Sequence, residues 1–546
     1  MTTGRTTTQT SQRSDYRWWQ RGVFYQVYPR SFADGDGDGV GDLRGLTARL
    51  DHLAWLGVDA IWLSPIYPSP MRDFGYDITD HTDVDRLFGS LADLDRFVAE
   101  AHRLGLRVLL DYVPNHTSDQ HPWFIESRAD RRGPRRDWYL WRDPAPHGGP
   151  PTNWRSVFGG PAWTADPDTG QYYYHTYLPE QPDLNWRNPQ VREAMLDVLR
   201  LWLDRGVDGF RIDALRHLLK DARWRDNPAN PAYRPGMPSY DAHLPVHSAD
   251  VDDVHGLIAA IRRVLDSHGG CGEERLLIGE LYLPMDRLVR YYGQDGRGLQ
   301  LPSNMHLIAT AWHAGAIAGL VERYEAALPA GGWPNWVLGN HDRSRIASRV
   351  GDAQARVAAM LLLTLRGTPT MYYGDEIGMH DVAVPPALVR DPYGLRVPGY
   401  GRDPQRSPLQ WHAGPNAGFC PPGTRPWVPI AADAVRVNIA AQRHDPRSML
   451  SLHRRLLALR RTNQALAVGG YRTVIAGPAN FAYLREVPGE RLLVALNFTD
   501  QPTSHNLDGL AGHVLLTTHL DGRDGEHIAG ELRLRPDEGA VIAVGD

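Results

Sequence analysis

Three carboxylates stand where apolar runs end: Asp213 closes GFRID, Glu280 nearly closes LLIGEL, and Asp342 follows WVLGNH. A single acid in such a place is ordinarily a helix cap or a solvated loop residue. Three together, with His116, Arg211 and His341 at neighbouring run ends, form a constellation suited to nucleophilic and acid–base chemistry. Two carboxyls suffice to hydrolyse a glycosidic bond if their surroundings keep one ionised for attack and the other protonated for the leaving group. Arg211 precedes Asp213 by two residues, and the period of a strand puts both side chains on one side, so the guanidinium is expected to hold Asp213 ionised. Glu280, flanked by Gly279 and apolar residues, has fewer evident charge partners and is the natural proton donor.

Side chains from distant stretches meet only if the fold gathers strand ends. Short apolar runs recur, each followed by helical periodicity: VFYQVY before Leu43 to Leu56, AIWLS before Leu91 to Leu104, then LRVLLDYV, VDGFRID, LLIGEL, Leu299 to Leu301, WVLG and PTMYY. Eight such units predict an α/β fold, a (β/α)₈ TIM barrel whose catalytic groups come from the carboxyl ends of different strands. The stretch from Pro114 is rich in Trp, Tyr, Pro and Gly and too long for a loop, so residues 114–188 are expected to form a small inserted domain after the third strand. A second long loop runs from Glu376 to Ile430. The barrel then spans 16–113 and 189–466, ending with the amphipathic helix Ser448 to Arg461, and 467–546 alternate apolar and polar residues as a C-terminal antiparallel β-sandwich domain.

Composition excludes several classes of partner. The 546 residues carry a net charge of −5 with 42% hydrophobic residues, so neither nucleic acid nor an anionic membrane is indicated. Lys220 is the single lysine; the arginines are scattered among acids and read as mostly solvated surface. Cys271 and Cys420 are too few for a disulfide framework. Residues 1–15 are polar and Thr-rich, a disordered tail and not a secretory signal, and a cytoplasmic location is expected. The oligomeric state is not legible in the sequence.

His116 in DYVPNH, GFRIDA at Gly209 to Ala214, Glu280 in IGE and NHD at Asn340 to Asp342 resemble, in order and spacing, the four signature regions of the α-amylase superfamily, glycoside hydrolase family 13. QVYPRSF near Tyr25 to Phe32, QPDLN at Gln181 to Asn185 and GRDPQRSPLQW at Gly401 to Trp411 extend the resemblance toward its oligo-1,6-glucosidase and α-glucosidase subgroup. The resemblance implies double displacement through a glucosyl-Asp213 intermediate, Glu280 as acid/base and Asp342 stabilising the distorted ring, with His116, Arg211 and His341 completing the glucose subsite. It further implies an Asp77–Arg402 salt bridge behind the non-reducing glucose and Tyr76 stacked on its face. In this subgroup Ala or Thr after the nucleophile accompanies α-1,4 preference and Val α-1,6; the residue here is Ala214. The expected activity is therefore exo-acting, retaining release of α-glucose from maltose and short α-glucosides, with transglucosylation. The alternatives are an oligo-1,6-glucosidase, a sucrose isomerase or trehalose synthase, and a non-catalytic carbohydrate-binding relative. At the sixth strand this chain has Ser303, Asn304 and Met305 where the subgroup has aromatic-Asn-Phe, a departure expected to reshape the acceptor side.

The loop DGDGDGVGD places Asp34, Asp36, Asp38, the Val40 carbonyl and Asp42 at alternate positions, where a curled backbone points hard oxygens at Ca²⁺. The closing Glu of an EF-hand is replaced by Gly45, so that motif is rejected. By resemblance to the same loop in related oligo-glucosidases, a structural Ca²⁺ is expected.

Overall fold

The computed structural model describes residues 16–269 and 274–545. The expected tail and Cys271 lie outside the described residues, and Cys420 is a buried free thiol. Eight parallel strands close a barrel: β1 (Phe24–Val27), β2 (Ala60–Leu63), β3 (Arg107–Tyr112), β4 (Gly209–Ile212), β5 (Leu276–Gly279), β6 (Leu301–Asn304), β7 (Asn335–Val337) and β8 (Thr368–Tyr372), with β8 pairing back onto β1. Every strand but the first residue of β3 is buried throughout, as continuous apolar runs require when one face fills the barrel and the other meets helices.

Capping residues set the helices. Ser90 accepts the Asp93 N–H at the start of Leu91–Arg103, Asn188 caps Pro189–Asp204 with proline at its first position, and Ser448 caps Met449–Thr462. The helix expected over Leu43 to Leu56 is two, Leu43–Thr47 and Leu50–Leu56, broken after Thr47.

Between β3 and β4 the chain forms a three-stranded sheet, Trp141–Arg142, Tyr172–Tyr174 and Trp163–Ala165, over an aromatic cluster of Trp154, Trp163 and Tyr174. An isolated bridge between His116 and Asp183 ties this insertion to the end of β3. The terminal domain is a single six-stranded antiparallel sheet. Its alternation is apolar on both faces: Phe481, Tyr483, Leu492 and Val494 join the barrel's core, whereas Ala482, Leu484, Leu493 and Ala495 build a separate one.

Arginine is not confined to the solvated surface. Arg211, Arg345, Arg406, Arg460 and Arg485 are fully buried. Arg460 donates through Nη1 to the carbonyls of Leu363, Leu365 and Leu466 and through Nη2 to those of Gly367 and Ala467. Among the described residues no helix is long and apolar enough to cross a membrane.

Candidate active site

The carboxyl ends of the strands open into a cavity of about 590 Å³ bordered by Asp73, Tyr76, His116, Asp213, Glu280, His341, Asp342 and Arg402, with Phe158 and Tyr177 contributed by the insertion. Strand register builds its centre. Asp111 on β3 lies opposite Arg211 on β4, and Arg211 lies opposite Ile278, two residues before Glu280. One buried guanidinium therefore meets three carboxylates: Asp213 at 2.7 Å, Asp111 at 2.8 Å and Glu280 at 2.9 Å. The expected Arg211–Asp213 pair is present, but Glu280 is not poor in partners, because it shares the same cation and also accepts the Ala214 N–H at 3.2 Å.

Three carboxylates on one cation leave excess negative charge in a buried place, which favours retention of a proton. Burial pushes Asp213 well above the usual carboxylate range against the pull of Arg211, with the charge of Glu280 adding to the rise. Burial likewise pushes Asp111 up to about 6, Arg211 opposing it. Arg211 alone thus does not hold Asp213 low, because burial and the charges of Glu280 and Asp111 oppose it.

Asp342 sits in the opposite environment. Burial pushes its carboxyl up, but the cations of Arg402 at 3.2 Å and Arg406 at 2.9 Å outweigh it and hold the group far below the usual range, so it stays ionised, with the His341 ring 3.3 Å away. His341 is sandwiched between Tyr76 (ring centroids 5.4 Å apart, planes within 3°) and Tyr28 (5.7 Å, 15°), and its nitrogens contact Gln26 and the Tyr76 hydroxyl. Desolvation lowers His341 to about 3 and His116 to about 4, so both imidazoles are neutral. Tyr76 also donates to Asp111 at 3.0 Å, joining the two halves of the site.

The expected Asp77–Arg402 bridge is not formed. Asp77 closes its own turn, accepting the N–H groups of Arg72 and Asp73 and the Ser69 hydroxyl, and is fully enclosed. With no cation beside it, burial raises its carboxyl to about 6. Asp73, four residues earlier, pairs with Arg402 at 2.6 Å and borders the cavity, while Asp391 accepts from the same Nη2 at 2.6 Å and from Nε at 3.0 Å. The turn that buries Asp77 is what presents Asp73. Ser303, Asn304 and Met305 are buried and do not border the cavity, so their departure from the subgroup pattern does not alter its wall directly.

Ala214, immediately after Asp213, adopts a left-handed backbone (φ 50°, ψ 26°), a conformation that costs an L-residue about 1 kcal/mol. The bend aims its N–H at Glu280. Lys220 is buried against Asp183 of the insertion and Asn115, which in turn contacts His116. In the acidic loop, carboxylate oxygens of Asp34, Asp36 and Asp42 lie within 4.8 Å of one another. Asp38 is outside that group, its carboxylate accepting the Val40 N–H at 2.7 Å in a local turn.

Asp111, Asp73, Asp391 and Arg406 were not singled out from the sequence. Asp111 carried a signal, being a carboxylate at the end of the apolar run VLLDY; Asp391 stands in a loop and is recognisable only by its partner.

The α-amylase catalytic-domain family model, described as "Alpha amylase, catalytic domain", matches residues 26–469. The chain is 40% identical to an α-glucosidase of Culex pipiens over 88% of this chain and 81% of that one. It is 36% identical to an oligo-1,6-glucosidase of Parageobacillus thermoglucosidasius over 96% and 99%. An α-glucosyl transfer enzyme of solved structure superposes with a TM-score of 0.90 at 39% identity, covering 97% of this chain and all of that one. With that match across the barrel and this cluster of acids at its strand ends, the chain belongs to the α-amylase family and is a glycoside hydrolase.

Proposed function

We propose that the protein is an exo-acting, retaining α-glucosidase that releases α-glucose from the non-reducing end of maltose and short α-glucosides, preferring α-1,4 bonds. The observation that carries this reading is the split environment of the carboxylates: Asp213 and Glu280 share one buried guanidinium, while Asp342 is held ionised between Arg402 and Arg406. In the first step Asp213 attacks the anomeric carbon as Glu280 protonates the departing oxygen. Glu280 gives its proton to the glycosidic oxygen as that oxygen's bond to the anomeric carbon breaks, and the negative charge of Asp213 is consumed in the new C–O bond. In the second step Glu280 takes a proton from water, or from a sugar hydroxyl in transglucosylation, and the glucosyl–Asp213 bond breaks with net retention. Asp342 accepts hydrogen bonds from ring hydroxyls as the ring flattens. The Asp73–Arg402–Asp391 array closes the end of the glucose pocket, which supports exo action. The α-1,4 preference rests on Ala214.

Maltose digestion followed by anomer-resolved product analysis tests this. α-Glucose as the first main product supports it; new disaccharides as the main product at dilute substrate would favour the transfer reading, toward which the similarity to an α-glucosyl transfer enzyme points.

The pH profile carries a signed prediction. The negative charge of Asp111 raises Asp213, so removing that charge lets Asp213 ionise more easily. Asp111→Asn should move the acid limb of kcat/KM down by about one pH unit. His116→Asn and His341→Asn should slow the enzyme yet leave that limb in place, because both imidazoles are neutral across the working range. A limb that follows the histidines instead would contradict the control of Asp213 by its neighbouring carboxylates.

We also propose that Asp34, Asp36 and Asp42 hold a structural Ca²⁺, whose charge would offset three crowded carboxylates. Because Asp42 also caps the helix Leu43–Thr47, the ion would stiffen the loop and the helix start together. Chelation should lower the thermal midpoint by several degrees, with calcium restoring it, the binding contributing about 3 kcal/mol at a hundredfold excess over Kd. Asp36→Asn should abolish the calcium response. A midpoint indifferent to chelator and calcium would refute the site.

A further inference from the structure

The leaving-group side of the cavity carries charge that a neutral sugar does not require. Arg216, Tyr240, Asp241, Tyr282 and Arg343 all border the cavity beyond Glu280. Arg216 donates to the Tyr282 carbonyl at 2.8 Å, and the Arg343 guanidinium lies 5.1 Å from the centroid of the Tyr282 ring, so both cations flank one residue. The other arginines of the site are neutralised at short range: Arg211 by Asp213 at 2.7 Å, Arg402 by Asp73 at 2.6 Å and Arg406 by Asp342 at 2.9 Å. Among the described residues Arg216 and Arg343 form no ion pair. Asp241 lies within electrostatic reach of both, as Glu280 does of Arg216 and Asp342 of Arg343, but none of these carboxylates closes onto either guanidinium at ion-pair distance. In the same wall the Tyr240 hydroxyl is buried with no hydrogen-bond partner, a donor awaiting an acceptor.

We propose that this half of the cavity recognises a leaving group or acceptor bearing a carboxylate, bound by Arg216 and Arg343 with the Tyr240 hydroxyl donating to it. A carboxylate would supply the short-range partner that both guanidiniums lack, and the guanidinium fork matches it in geometry. The inference rests on the α-glucosidase reading and specifies the partner sugar's side of it.

The test compares 3-carboxyphenyl and 3-carbamoylphenyl α-glucosides, which have nearly the same shape. The carboxylate is the weaker electron-withdrawing group, so intrinsic reactivity works against the expected preference. The expected result is a kcat/KM about tenfold higher for the carboxylate at low ionic strength, shrinking with added KCl. Arg343→Gln and Arg216→Gln should each bring the ratio of the two substrates toward one. A ratio at or below one in the wild type, or a ratio unmoved in both variants, overturns the inference while leaving the glucosidase reading intact. Release from neither substrate overturns the glucosidase reading, and this inference with it.

Discussion

Replacing the Asp213 carboxylate by a carboxamide (Asp213→Asn) is expected to lower kcat on maltose about 10⁵-fold, roughly 7 kcal/mol of barrier. The change is nearly isosteric, and Arg211 keeps Asp111 at 2.8 Å and Glu280 at 2.9 Å, so the cation is not stranded and the fold should persist. Circular dichroism and thermal midpoint check that control. Glu280→Gln supplies the contrast: it should be severe on maltose, whose leaving alkoxide needs a proton, and far milder on an aryl glucoside with a good leaving group. If Asp213→Asn kept a tenth or more of wild-type turnover, Asp213 would not be the nucleophile.

The second large effect concerns the closed end of the pocket. Arg402→Ala removes the cation shared by Asp73, Asp391 and Asp342 and leaves two fully enclosed or nearly enclosed carboxylates facing each other. A fall in kcat/KM of about 10³-fold is expected, with KM rising as the glucose loses its anchor and kcat falling as Asp342 loses its orientation. Asp73→Asn should raise KM in the same sense. Asp77→Asn should not: its carboxylate closes the Ser69–Asp77 turn, so the expected effect is a lower thermal midpoint with KM changed less than about threefold. Kinetics of the two single variants side by side separate these roles. A large KM effect at Asp77 with none at Asp73 would restore the bridge expected from the sequence.

That exchange of one aspartate for its neighbour shows where sequence reading stops. Asp213, Glu280 and Asp342 were legible because each closes a strand, and strand ends converge by the geometry of a barrel whatever the loops do. The two aspartates of RDFGYDI lie in a loop, where a local turn decides which one faces inward, and neither spacing nor residue type encodes that choice. Asp391 belongs to the long segment after β8 and reaches Arg402 only through loop packing. Asp111 was within reach: a carboxylate buried at the end of the apolar run VLLDY demands a partner, and the β3–β4 register supplies Arg211. The electrostatic balance was harder to foresee, because Arg211 was read against one acid and the fold gives it three. The arginine-rich composition misled in a different way, since Arg460 and Arg485 are buried carbonyl-binding forks that no charge pattern distinguishes from surface residues.

The central claim is that glucose passes through a covalent bond to Asp213. Incubation with an activated 5-fluoro-α-glucosyl fluoride, rapid acid quench, proteolysis and mass spectrometry measure this directly. The account predicts one fluoroglucosyl adduct, on the peptide carrying Gly209 to Ala214 and localised to Asp213, absent in Asp213→Asn. An adduct on Glu280 or Asp342, or release of the non-reducing unit of maltose as β-glucose, would contradict it.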